Sequence, residues 1–195
     1  MVVLSFPSPT YGLSDLKFYP TEIAGVWVVE LTPITDERGF FARLWCPVQL
    51  AVHGLNPALS HVGVSFNHLA GTVRGMHWQA APHAEAKLVR ASRGAIWDVA
   101  LDLRPKSPTY RKWTARELTA ENRAMLYIPE GCAHGFQTLT DGAEVTYHIT
   151  AAYEPAAGRG ARYDDPAFGI EWPQPVTVIG ERDRSWRLLL EGENR

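Results

Sequence analysis

Apolar residues in this chain arrive in short bursts that alternate with polar ones, and few keep a helical rhythm. The clearest runs are Val26-Trp27-Val28-Val29-Glu30-Leu31, Val62-Gly63-Val64-Ser65-Phe66, Lys87-Leu88-Val89-Arg90, Ala95-Ile96-Trp97-Asp98-Val99-Ala100-Leu101 and Glu144-Val145-Thr146-Tyr147-His148-Ile149. They are rich in β-branched and aromatic residues and are bounded by Gly, Pro, Asn or Asp. Such runs predict strands, and their number predicts an all-β fold of the jelly-roll kind with few short helices. Helix is expected in two places: one turn at Cys46-Pro47-Val48-Gln49-Leu50, and a short closing helix from Glu181 to Leu190. The 14 prolines and 16 glycines are scattered, so no linker, repeat or low-complexity tract divides the chain. Residues 1–195 therefore read as one domain. Residues 1–25 form an N-terminal arm, and residues 171–195, opening with Glu171-Trp172-Pro173-Gln174-Pro175, form an extended C-terminal arm.

Composition adds boundaries to this picture. A chain of 195 residues, 46% hydrophobic and 21% charged, can bury one sizeable core. A net charge of −2 gives no pull toward nucleic acid or an anionic membrane. Any anion must then be held by locally placed arginines. The opening MVVLSFPSPTYG is apolar but short, lacks a basic flank and meets Pro7 and Pro9. It is not expected to be a secretory signal, and no apolar run approaches a membrane span. Cys46 and Cys132 form neither a CxxC pair nor a disulfide framework, and each reads as a packed small hydrophobe. A reducing, cytoplasmic setting is expected. Jelly rolls commonly cover their open edges with another copy, which predicts a homodimer; strand exchange by the N-terminal arm is one way to build it.

The chemistry concentrates between Gly71 and Gly94. Gly71, His77, Gln79, Glu85 and Gly94 repeat most of the first cupin motif, G-x5-H-x-H-x3–4-E-x6-G. Pro129-Glu130-Gly131-Cys132-Ala133-His134 supplies the P-x-G-x2-H of the second. A metal-binding cupin needs two imidazoles in the first motif, a carboxylate and a third His. Here Gln79, a poor ligand, replaces one imidazole, and Lys87 adds positive charge beside Glu85. The pattern predicts a cupin pocket used for acid–base chemistry, with no metal and no cofactor.

His77 is the leading general base, since imidazole titrates near neutrality. A lone His in a strand is more often a satisfied core residue; its place within the motif, between Arg74 and Lys87, favours function. A catalytic His needs a partner to fix its tautomer. Asp165, held extended by Pro166, is one candidate, and a turn-capping aspartate is the equal alternative. Lys87 either snorkels to solvent or faces inward to neutralise an enolate oxygen. Tyr147 shares a strand face with Val145 and Ile149; it either fills the barrel or donates a proton opposite His77. Arg38 and Arg74 each precede a glycine, and two such pairs favour a phosphate ligand. His134, without metal partners, would brace the pocket through hydrogen bonds. Trp27, Trp97 and Trp113 read as core, and Asp102 and Glu117 as solvent-facing carboxylates.

Taken together, these stretches resemble the dTDP-4-dehydrorhamnose 3,5-epimerase family, metal-free cupins acting on nucleotide-linked 4-keto-6-deoxy sugars. The resemblance is carried by Asp36-Glu37-Arg38-Gly39, Gly71-Thr72-Val73-Arg74-Gly75-Met76-His77-Trp78-Gln79, Lys87-Leu88-Val89 and Ile96-Trp97-Asp98-Val99. It continues through Asp102-Leu103-Arg104, Ser107-Pro108-Thr109-Tyr110, Pro129 to Phe136, Val145-Thr146-Tyr147 and Asp164-Asp165-Pro166, in family order and over most of the chain. It implies that His77, oriented by Asp165, takes a proton at C5 or C3 beside the C4 ketone. Lys87 would stabilise the enolate, and Tyr147 would return a proton from the other face. It assigns substrate and nucleotide to Arg38, Phe41, Arg43, Asn67, Arg74, Gln79 and His134, with Arg38 and Arg74 on the diphosphate.

Departures fall on the nucleotide side. Arg43 stands where the family usually has Glu, Val62 and Val64 stand for a Gln and an Asn, and His148 replaces a Lys. The reaction type is therefore better specified than the carrier, with dTDP as the family default and CDP or GDP open. The rivals are an epimerase relative that inverts only one centre or shifts the ketone as an isomerase, a non-catalytic sugar-nucleotide binding module and a metal cupin dioxygenase.

Overall fold

In the computed structural model, which describes residues 15–189, the alternating segments pair into two facing sheets. Along the chain the strands are β1 (Leu16–Pro20), β2 (Trp27–Leu31), β3 (Ile34–Asp36), β4 (Gly39–Phe41), β5 (His61–Asn67), β6 (Thr72–Gln79) and β7 (Lys87–Arg93). They continue with β8 (Ala95–Asp102), β9 (Trp113–Thr119), β10 (Met125–Ile128), β11 (Cys132–Thr138), β12 (Ala143–Ile149), β13 (Gly158–Gly160) and β14 (Val178–Ile179). One sheet runs β1-β2-β10-β7-β12-β5; the other runs β13-β6-β11-β8-β9, with β14 added parallel to β6. All other pairings are antiparallel, as an all-β jelly roll requires. A separate hairpin joins β3 to β4. The helices are α1 (Pro47–Val52) and α2 (Glu181–Arg184), and among the described residues no helix is long and apolar enough to cross a membrane.

Alternation explains which side of each strand is buried. Val89 and Ala91 of β7, Val145 of β12 and Leu126 and Ile128 of β10 meet Ile96, Ala100 and Phe136 of the second sheet in the central core. Cys132 packs there too; burial pushes its thiol up to about 12 against the pull of Arg104, so it serves as a small hydrophobe. Outside the first sheet, Leu88, Met125 and Tyr127 are covered by Leu50 of α1 and by Leu55. Outside the second, Phe168, Trp172 and Leu189 cover Met76, Val99 and Leu101.

Both ends of the described chain add to the body of the fold, and the closing helix is shorter than expected. The C-terminal arm packs along the second sheet: Gln174 exchanges two hydrogen bonds with Gln137, at 2.8 and 2.9 Å, and β14 then adds to β6. The closing helix is one turn, because Leu189 N–H bonds the Asp165 carboxylate and draws the chain out of helical register; Leu190 lies outside the described residues. Of the N-terminal arm, residues 1–14 also lie outside them, while Leu16–Pro20 pairs with β2 of its own chain.

Asp102 does not face solvent as read from sequence. It is fully buried and accepts from Arg104 Nε (2.8 Å), Ser107 Oγ (2.5 Å) and Thr109 Oγ1 (2.6 Å), stapling the turn after β8. Burial acts to raise its pKa, but these hydrogen bonds prevail and hold it down at about 2, from 3.8. The depressed value means stability that is present above the unfolded pKa and lost as pH falls through the folded one, about 2 kcal/mol in all. Denaturant titrations should show Asp102→Asn less stable than wild type at pH 7, with the gap narrowing as pH falls from about 4 toward 2. A gap independent of pH across that window would show that the carboxylate charge is not what stabilises the turn.

Candidate active site

A cavity of about 360 Å³ opens between the two sheets, lined by Arg74, His77, Lys87, His134, Tyr147 and Asp183, with Ser65 and Glu85 in its wall. Arg74 and His77 are three apart on β6 and should face opposite sides of a regular strand. They share the cavity because the register against β11 slips: His77 pairs with His134, whereas Arg74 pairs with Phe136. Such a bulge re-aims side chains. Gly75 sits at the slip with φ +129°, and a Cβ there would lie 2.5 Å from Gly135 Cα, so only glycine fits. Met76 is left to pack in the outer core.

His77 Nε2 lies 2.5 Å from Asp183 Oδ1, and Asp183 Oδ2 accepts the Gly75 N–H at 3.1 Å. Burial works to raise the Asp183 pKa, but His77, the Gly75 N–H and Arg182 outweigh it and keep the carboxylate ionised. An ionised Asp183 accepting Nε2–H leaves Nδ1 of His77 with the lone pair needed to take a proton. Asp165 therefore does not orient His77. Its Oδ1 accepts Ala167 N–H at 3.0 Å and its Oδ2 accepts Leu189 N–H at 2.8 Å, which is the turn-capping alternative. Sequence reading missed Asp183, 106 residues from His77 in a short charged stretch that resembles any solvated helix turn.

Lys87 faces inward, as its period with Val89 requires. Its Nζ lies 3.0 Å from Glu85 Oε1 and donates to His77 O at 3.3 Å. Tyr147, on the same sheet as Lys87, enters opposite His77, its hydroxyl 2.9 Å from Ser65 Oγ. Burial raises its pKa, only partly opposed by the Ser65 bond, so the phenol stays protonated. His134 Nε2 is 2.8 Å from Asp98 Oδ1, which gives it the bracing bond expected of it. Asp98 is fully buried, and desolvation pushes its carboxyl up against the attraction of His134 and Lys87.

Several residues assigned to substrate are occupied elsewhere. Gln79 is buried: its Nε2 faces Glu85 Oε2, His83 O and Ala152 O, and its Oε1 accepts Glu154 N–H. Asn67 is turned from the cavity and holds Arg74 instead, accepting from Arg74 Nε at 2.8 Å. Arg38 and Phe41 lie on the exposed β3–β4 hairpin, where Arg38 pairs with Asp36, and neither lines this chain's cavity. Arg43 turns toward Cys46. The donor set also departs from a metal cupin: Gln79 is an amide and Glu85 pairs with Lys87. Among the described residues no group of three or more His, Cys, Asp or Glu is placed to hold a metal ion.

Comparison with known proteins agrees with this geometry. The sequence profile of the dTDP-4-dehydrorhamnose 3,5-epimerases matches residues 20–191. The dTDP-4-dehydrorhamnose 3,5-epimerase of Sinorhizobium fredii is 41% identical over 180 residues, 92% of either chain. Among solved structures, the Elizabethkingia anophelis enzyme of that name superposes with a TM-score of 0.86 at 32% identity, covering 89% of this chain and 96% of its own. The Bacillus anthracis enzyme, solved with TDP and PPi bound, gives 0.85 at 34% identity, covering 90% and 100%. With a jelly roll, an inward His–Asp pair and an opposing phenol already in place, a match of this extent settles the family: the chain belongs to the dTDP-4-dehydrorhamnose 3,5-epimerases.

Proposed function

We propose that this protein inverts C5, C3 or both of a nucleoside-diphosphate 4-keto-6-deoxy sugar by moving protons on carbons next to the C4 ketone. The observation that carries this reading is that His77 and Tyr147 enter one cavity from opposite sheets, with the Lys87 ammonium also lining it. His77 Nδ1 removes the proton, and Asp183 stabilises the imidazolium that forms. Lys87 meets the negative charge that develops on the ketone oxygen. The protonated Tyr147 then donates to the opposite face, and the centre is inverted. Each step moves one proton between a side chain and carbon, so the electrons balance without a redox partner. Arg74, aimed by Asn67, holds the diphosphate. The carrier is dTDP by family, although Val62 and Val64 stand exposed on β5 where the family resemblance implies a Gln and an Asn.

A homodimer completes the proposal. Val62, Val64 and Phe66 on edge strand β5, and Ile34, Phe40 and Phe41 on the hairpin, are exposed apolar side chains that a second copy would cover. The same contact would give Arg38 and Phe41 a cavity to serve, that of the partner. A reducing, cytoplasmic setting suits the free Cys46 and Cys132.

Proton NMR in D2O tests the reaction, with 4-keto-6-deoxy sugars on dTDP, CDP and GDP carriers. Deuterium should enter at C5 or C3 with inversion on the preferred carrier; binding without exchange on all three would favour a binding module. In the same assay Tyr147→Phe should keep exchange while losing inversion by about 100-fold. Equal loss of both would assign Tyr147 to packing rather than proton return.

A further inference from the structure

Glu85 takes no part in the proton transfers, yet its side chain is only 10% exposed and reaches the cavity wall. Oε1 sits 3.0 Å from Lys87 Nζ, and Oε2 faces Gln79 Nε2 at 3.0 Å. Gln79 is itself anchored by His83 O, Ala152 O and Glu154 N–H. Lys87 Nζ makes its remaining protein bond to His77 O. An ammonium has three donors on a flexible stem. With two of them fixed by Glu85 and His77 O, the third is directed into the cavity that Lys87 lines. Glu85 and Gln79 stand at the positions where a metal cupin places its carboxylate and second imidazole. Here those two positions brace a lysine.

We propose that Glu85, held by Gln79, is a positioning residue that fixes where the Lys87 ammonium meets the developing enolate oxygen. The inference rests on the Lys87 role in the proposed reaction. It concerns reach: what Lys87 requires is an acceptor oxygen at this distance. A glutamine supplies one at the same reach, whereas an aspartate keeps the charge but withdraws the oxygen by one methylene.

The test is steady-state kinetics of the full-length protein on the carrier that reacts, with thermal melting to check each fold. Glu85→Ala should lower kcat by about 10- to 100-fold with KM changed less than about twofold. Glu85→Asp should lose about tenfold in kcat, and Glu85→Gln less than about threefold. In a Lys87→Ala background, Glu85→Ala should add no further loss, because coupled residues are not additive. Native kcat in Glu85→Ala, a loss confined to KM, a full extra loss on top of Lys87→Ala, or Glu85→Gln faring worse than Glu85→Asp would each overturn the proposal. Failure of wild type itself to exchange deuterium would instead remove the epimerase reading beneath it.

Discussion

Replacing His77 by alanine should abolish deuterium incorporation and lower kcat by about 1,000-fold or more. Lys87, Tyr147 and His134, which line the cavity beside His77, are poorly suited to take over. Lys87 is engaged by Glu85 and His77 O as a charged donor. Tyr147 is a buried phenol held protonated. His134, the nearest imidazole by strand pairing, is committed to Asp98 through Nε2. The fold should survive, because the His77 ring is partly exposed and Asp183 keeps its bond to Gly75 N–H. Binding of the nucleoside diphosphate should change little, since Arg74 and its Asn67 support are untouched. The measurement is C5 and C3 exchange by proton NMR beside an isothermal titration with dTDP. Turnover near the wild-type rate would reassign the base, with His134 the next residue to examine.

The strands legible in the sequence are those with a long run of apolar and β-branched residues bounded by turn residues, β8 included although seven of its eight residues are buried. β5 and β12 alternate apolar and polar residues, and the period shared with Val145 and Ile149 puts Tyr147 on the inward face. β10 and β11 carry weaker signals: β10 is four residues long, and β11 reads Cys-Ala-His-Gly-Phe-Gln-Thr, with Gly135 at its centre and Thr138 its one β-branched residue. The site divides in a similar way. Lys87 and Tyr147 follow from local parity within recognisable strands, whereas His77 is marked by its place in the cupin motif. The β6 bulge has no signature in a period-two reading, which would set Arg74 and His77 on opposite faces. Asn67 and Gln79 show a further gap: an inward polar residue can serve another side chain instead of a ligand, and only coordinates tell these apart. Arg38 and Phe41 match the family pattern, but a sequence match does not place a side chain, and neither lines this chain's cavity.

Asp183 and Asp165 offer the sharpest contrast, because both are buried aspartates near the C-terminus that accept two hydrogen bonds. Asp183→Asn should lower kcat by about 100- to 10,000-fold, the range expected when an imidazole loses the anion that fixes its tautomer and stabilises its charged form. The amide can still meet His77 Nε2 and Gly75 N–H, so melting temperature and nucleotide affinity should stay close to wild type. Asp165→Ala should do the reverse. It strands the N–H groups of Ala167 and Leu189 and loosens the cover over the outer core, costing about 1–3 kcal/mol of stability. Its kcat, measured below the melting transition, should stay within about threefold of wild type. The two aspartates thus separate along orthogonal axes, rate for one and stability for the other. A kinetic loss in Asp165→Ala at full fold, together with an active Asp183→Asn, would mean that the working enzyme moves α2 away from His77 and orients its base by another route.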